Sequence, residues 1–191
     1  YATVKGYRPL TLDLYLPPES GSSHPLIVYV HGGGWIGGNR RRTAKFTNFP
    51  GFLAGLAARG YAVAAIDYRL AGEEPFPAAI QDTKEAIRFL RARAERNRID
   101  PQRVAIWGSS AGGQIAALTA VTCGDPQLSP VRSRHPDQSD CVQAAVAWYG
   151  VFDLTKSHSP RSPDIQPPIV YSYLGCKVGS CPKNLMETAS P

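Results

Sequence analysis

Arg103-Val-Ala-Ile-Trp-Gly-Ser-Ser-Ala-Gly-Gly-Gln-Ile-Ala-Ala-Leu118 decides the fold. Arg103 to Trp107 is an apolar run of strand length, and the Ala-rich stretch from Ser110 to Val121 has the composition of a helix. Between them stands Gly108-Ser-Ser-Ala-Gly112, a G-x-S-x-G turn. A buried strand that enters a helix through so few residues must turn sharply, and the turn lifts the Ser110 hydroxyl off the end of the sheet. Glycines on either side let the backbone bend and let strand and helix approach closely. The helix N-terminus then sets backbone N–H groups and a positive dipole end beside that hydroxyl. The spacing predicts Ser110 as an attacking nucleophile, with the Ala111 N–H as one donor to a developing oxyanion. The bland reading of the same residues is a serine-rich turn capping a helix.

Outward from this stretch, Leu26 to Val30, Tyr61 to Ile66 and Val142 to Trp148 read as further buried strands. Gly51 to Arg59 reads as a helix closed by Gly60, and Ala78 to Glu95 as another, with apolar residues at Ile80, Ile87 and Leu90. Strands alternating with helices predict the α/β class: a doubly wound, mostly parallel sheet with helices on both faces, in one domain over residues 1–191. Thr3 to Gly6 and Thr11 to Leu16 suggest an N-terminal hairpin that buries Leu12, Leu14 and Leu16. The Ser- and Pro-rich composition around residues 154–170 suggests an irregular excursion shaping a pocket mouth, followed by a short helix from Lys183 to Ala189.

A second glycine-rich element, His31-Gly-Gly-Gly-Trp35, follows the strand Leu26 to Val30. Consecutive glycines let the backbone aim N–H groups at an oxyanion, so Gly33 and Gly34 join Ala111 as expected donors. Gly32, Gly34 and Gly37 also spell G-x-G-x-x-G, with Asp67 after the next strand, the pattern of a dinucleotide site. Gly38-Asn39-Arg40 opens a helix poorly and Asp67 comes late, which leaves that reading a distant alternative.

The chain is 43% hydrophobic and 19% charged, with a net charge of +6. Its basic residues concentrate in Arg40-Arg41-Arg42 and in Arg88, Arg91, Arg93, Arg96 and Arg98. The latter are read as a solvated helix face; with no interleaved aromatic platform, nucleic acid is not expected as a partner. No apolar run reaches membrane-spanning length. Of the four cysteines, Cys123 and Cys141 bracket one loop and Cys176 and Cys181 a tight turn. Two local disulfides, Cys123–Cys141 and Cys176–Cys181, are expected, and with them an oxidising compartment: a secreted, extracellular or periplasmic location. No ligand spacing calls for a metal or another cofactor. The start at Tyr1 reads as a processed or trimmed product.

Four stretches carry a family resemblance: His31-Gly-Gly-Gly-Trp35, Asp67-Tyr-Arg-Leu70, Pro75-Phe-Pro-Ala-Ala79 and Gly108-Ser-Ser-Ala-Gly-Gly113. Together they resemble the hormone-sensitive-lipase-like and feruloyl-esterase-like branch of the α/β-hydrolases, from about Thr11 to Gly150. The resemblance implies a serine carboxylic ester hydrolase working through an acyl-enzyme. Its substrate would be a small-molecule or polysaccharide-linked ester: short-acyl, aryl or feruloyl, or acetylated polysaccharide. It also implies scaffold roles for Asp67 and Arg69 and a place for Trp35 in the substrate-pocket wall. Such proteins place an acid and then a histidine on later loops. Asp153 and His158 follow Ser110 in that order but stand only five positions apart, and read better as a surface turn and a loop, as do His24 and His135. The histidine and acid are therefore expected on sequence not shown, in a C-terminal segment or a second polypeptide carrying the remaining strands. A ligand-binding relative without catalysis is the alternative from another class.

Overall fold

Alternation along the central strands divides the core in two. In β2 (His24–Val30), Leu26, Val28 and Val30 face one side of the sheet, while Ile27 and Tyr29 face the other. β3 (Ala62–Ile66) repeats this with Ala62, Ala64 and Ile66 against Val63 and Ala65, and β4 (Ile99–Ser109) with Val104 and Ile106 against Trp107. Strands covered on both faces must be apolar at nearly every position, which is why they stand out in the sequence. The sheet order is β1-β3-β2-β4-β5; β1 (Leu12–Tyr15) runs antiparallel to β3, and the other pairs, including β4 with β5 (Ala144–Trp148), are parallel. α1 (Phe49–Ala57) packs Phe49 and Leu53 on the Tyr29 side. α2 (Ala78–Ala92) and α3 (Ala111–Val121) cover the opposite side with Ile80, Ile87, Leu90, Ile115 and Leu118. This is the doubly wound architecture. The computed structural model describes residues 1–18, 21–43, 46–156 and 168–191, and no helix within them is long and apolar enough to cross a membrane.

Several local expectations need correction. Residues 3–6 form no strand: one isolated antiparallel bridge, Ala2 with Leu10, closes the N-terminal loop, and β1 pairs with the apolar edge of β3. Leu16 falls beyond β1 and is exposed. The helix expected to reach Glu95 stops at Ala92, and Asp100-Pro101 lies inside β4. There the register with β2 shifts between Pro25 and Leu26. The Asp100 carboxylate holds the bulge by accepting the Gln102 N–H at 2.9 Å and pairing with Arg103 at 2.6 Å. α4 (Pro168–Leu174) begins inside the segment read as irregular, and residues 157–167 lie outside the described residues. A proline at the first helical position and the apolar Ile-Val-Tyr run are the signals for it. α5 (Lys183–Thr188) completes the chain.

The basic residues on α2 are not a solvated face. Arg88 pairs with Asp140 at 2.5 Å, while Arg91 donates to the carbonyls of Pro101 and Ser139 at 3.1 and 2.8 Å. Lys84 donates to the Thr122 carbonyl, and burial lowers its ammonium pKa. These contacts fasten the loop after α3 to α2, and Cys123–Cys141 closes that loop; Cys176–Cys181 closes the turn after α4. Arg93, Arg96 and Arg98 lie past the helix end. At the opposite edge of the sheet, β5 pairs with β4 alone among the described residues. Val146 and Trp148 are each 45% exposed, and with Phe52 and Trp107 they line an apolar groove between α1 and the sheet edge.

Candidate active site

β2, β4 and β5 end side by side, with Val30 opposite Gly108 and Ser109 opposite Trp148. The carboxyl ends of parallel strands are where such sheets hold ligands. Ser110 stands there between β4 and α3, at φ 54° and ψ −124°, and its N–H donates to the Trp148 carbonyl at 2.9 Å. A non-glycine residue held in so sparsely populated a region costs about 1–3 kcal/mol. Close packing enforces it. A Cβ at Gly112 would lie 2.2 Å from the Val30 oxygen, and one at Gly108 would lie 2.1 Å from the Gly112 oxygen. α3 therefore sits directly on the strand ends, with no room for a methyl group.

An open cleft of about 360 Å³ lies over Ser110, walled by Gly32, Gly33, Arg42, Thr43 and Tyr149 among others. Gly33, at φ 118°, accepts from Gly37 N–H at 3.1 Å in a tight turn. Among the described residues nothing accepts the N–H groups of Gly33 or Ala111. Gly34 lies beneath α4, where a Cβ would come 2.2 Å from Ile169 Cδ1. Ala111 is buried at the first helical position. The structure thus brings Gly33 into the cleft wall beside Ser110, while Gly34 and Ala111, next to Gly33 and Ser110 in the chain, are not among its lining residues.

The loop is braced from below. The His31 ring stacks on Tyr68 with centroids 4.3 Å apart, its Nδ1 is 2.7 Å from the Gly32 carbonyl, and Tyr68 OH donates to the His31 carbonyl at 2.9 Å. Burial lowers the His31 imidazole below its ordinary pKa, so it serves as a neutral brace. Trp35 corrects an expectation: it is 3% exposed and belongs to the core, not to the cleft wall. Its indole donates to Gln114 Oε1 of α3 at 3.0 Å and stacks at 4.5 Å on Tyr173 of α4, a helix not foreseen.

Asp67 accepts the Arg40 N–H at 2.9 Å and the Thr11 hydroxyl at 3.0 Å, and Arg69 grips Asp82 through Nε and Nη2 at 2.9 and 2.8 Å. Both are scaffold contacts. They also set aside the dinucleotide reading, because among the described residues no helix opens between Gly37 and Phe49, and Asp67 is already engaged. The Ser109 hydroxyl is buried 3.3 Å from that of Thr43.

No histidine among the described residues is hydrogen-bonded to the Ser110 hydroxyl. His24 lies at the far end of β2, and His135 packs edgewise on Phe89 at 5.9 Å. His158 lies outside the described residues. Asp153 is a turn residue: the Thr155 hydroxyl, then Lys156, hold its carboxyl down to about 2. Sequence reasoning missed Tyr149 and Thr43 and left Arg42 without a role. Tyr149 follows β5 as Ser110 follows β4, so the strand-end rule was the signal that would have found it.

The BD-FAE family model matches residues 12–191. The chain is 33% identical over 159 residues to the probable carboxylic ester hydrolase LipM of Mycobacterium tuberculosis, covering 82% of this chain and 35% of that protein. Among solved structures it is similar to the bifunctional GH43-CE protein of Bacteroides eggerthii, with a TM-score of 0.79 and 29% identity over 94% of this chain and 24% of that one. It is also similar to Thermogutta terrifontis esterase 2 phosphoramylated by tabun, with a TM-score of 0.73 and 26% identity over 100% of this chain and 62% of that one. The chain spans about a third of the length of the curated relatives it matches, 35% for LipM and 32% for esterase LipC. On an α/β-hydrolase sheet with its strained serine at the carboxyl edge, the chain belongs to the BD-FAE family.

Proposed function

We propose that this chain carries the nucleophile and oxyanion site of a serine carboxylesterase. Ser110 Oγ attacks the ester carbonyl, its proton passes to a base, and the N–H groups of Gly33, Gly34 and Ala111 stabilise the oxyanion. The alcohol leaves with a proton, and water then releases the acid from the acyl-serine. The observation that carries this reading is the conformation of Ser110: a left-handed serine pinned between strand ends, beside N–H groups that nothing among the described residues accepts. Its esterase relatives support it. Each such donor contributes roughly 3 kcal/mol to transition-state stabilisation.

The base and its acid come, in this reading, from polypeptide outside the described residues, set against the open side of β5. The half-exposed Val146 and Trp148 support that placement. Short-acyl, aryl or feruloyl, and acetylated-polysaccharide esters are the substrate classes. The two disulfides favour a secreted or periplasmic setting.

The test is acylation by 4-nitrophenyl acetate with imidazole supplied as base, read by intact mass. Even without a triad base, oxyanion stabilisation and binding leave about 10³–10⁴-fold over water. Ser110→Ala should abolish the adduct and Ser109→Ala should keep it. Equal loss from both variants, with normal melting, would overturn the assignment.

A further inference from the structure

Arg40, Arg41 and Arg42 place three guanidinium groups on successive residues, and the structure treats them unequally. Arg40 lies 2.9 Å from Asp13 and also pairs with Asp67, while Arg41 pairs with Asp13 at 2.6 Å. Together they tie the glycine loop to β1 and to the end of β3. Arg42 has no carboxylate partner among the described residues, and it is exposed in the wall of the cleft over Ser110. Its backbone is fixed, because its N–H donates to the Asn39 carbonyl at 3.1 Å and the next residue, Thr43, is buried beside Ser109. The other described residues of the wall are neutral: glycines, Thr43, the two serines and Tyr149. Among the described residues, opposite charge is therefore what this cleft lacks.

We propose that Arg42 is a specificity residue that selects esters carrying a carboxylate, on the acyl side as in a half-ester of a dicarboxylic acid, or on the alcohol side as in an acidic sugar. This rests on the reading that esters are attacked at Ser110. A guanidinium presents a planar fork that matches a carboxylate bidentately, and here no resident carboxylate must be displaced first. Exposure limits the gain to about three- to tenfold in affinity, and salt weakens it.

The test uses Ser110→Ala protein, which binds without turnover, and two ligand pairs followed by NMR titration at low salt. One pair is monomethyl succinate against methyl butyrate; the other is acetylated glucuronic acid against acetylated glucose. The carboxylate ligand should bind about three- to tenfold tighter in at least one pair, and which pair responds assigns the acyl or the alcohol side. That preference should vanish with Arg42→Gln and persist in part with Arg42→Lys. Equal affinities in both pairs, or a preference unchanged by Arg42→Gln in a folded protein, would overturn the proposal. Because no step of the test needs Ser110 chemistry, a failed nucleophile assignment leaves this readout intact, and a labelled Ser110 without charge preference sinks Arg42 alone.

Discussion

Replacing Ser110 with glycine should make the protein more stable while removing the proposed nucleophile. Ser110 sits at φ 54° and ψ −124°, held by the Trp148 carbonyl and by α3 packed against β2. Relief of that strain is worth about 1–3 kcal/mol. Against it stands the larger unfolded-state entropy of glycine, about 0.4–1 kcal/mol. The difference leaves a gain near 1 kcal/mol, or a rise in Tm of about 2–4 °C for a chain of this size. Ser110→Ala is the control, because it loses the same hydroxyl but keeps the Cβ and hence the strain. At an ordinary position an alanine outlasts a glycine; here the order should reverse. Thermal and urea unfolding of the two variants decide it. Ser110→Ala melting at or above Ser110→Gly would refute the claim that the elbow is strained.

Three other outcomes follow from the same contacts. Gly112→Ala forces a methyl group against the Val30 carbonyl and should cost about 1–3 kcal/mol in urea unfolding, together with loss of Ser110 acylation; an unchanged midpoint would contradict the close packing. Asp82→Ala leaves the buried Arg69 guanidinium unpaired and should cost about 3–5 kcal/mol, whereas a loss no larger than that of a surface pair would show the contact to be dispensable. Burial lowers the folded His31 pKa below its ordinary value near 6.5, so its contribution to stability is complete above that value and is lost as pH falls toward the folded one. Melting followed from pH 7.5 to 5.5 should therefore decline, and the decline should shrink in His31→Gln; parallel profiles for the two proteins would exclude His31 as its source.

The central strands were legible because both their faces are covered, which leaves strands such as Ala62–Ile66 without a polar position. The elbow was legible because only glycines allow its contacts, as at Gly108 and Gly112. What hid was whatever depends on a distant partner. Arginines at positions 88 and 91 look solvated until the 122–141 loop folds over them. Trp35 follows the glycine loop like a pocket residue, yet Tyr173 and Gln114 draw it inward. Tyr149 carries no motif, and only the neighbouring strand end gives it meaning.

Site-resolved labelling with a fluorophosphonate, in the presence of imidazole, shows whether Ser110 is the reactive serine. The protein is exposed to the reagent, digested, and every serine read by peptide mass. An adduct is expected on Ser110, formed at least about tenfold faster than on any other serine, because the proposed oxyanion donors act even without the triad base. It should be absent from Ser110→Ala. An adduct on Ser109, or labelling spread evenly over the exposed serines, would contradict it.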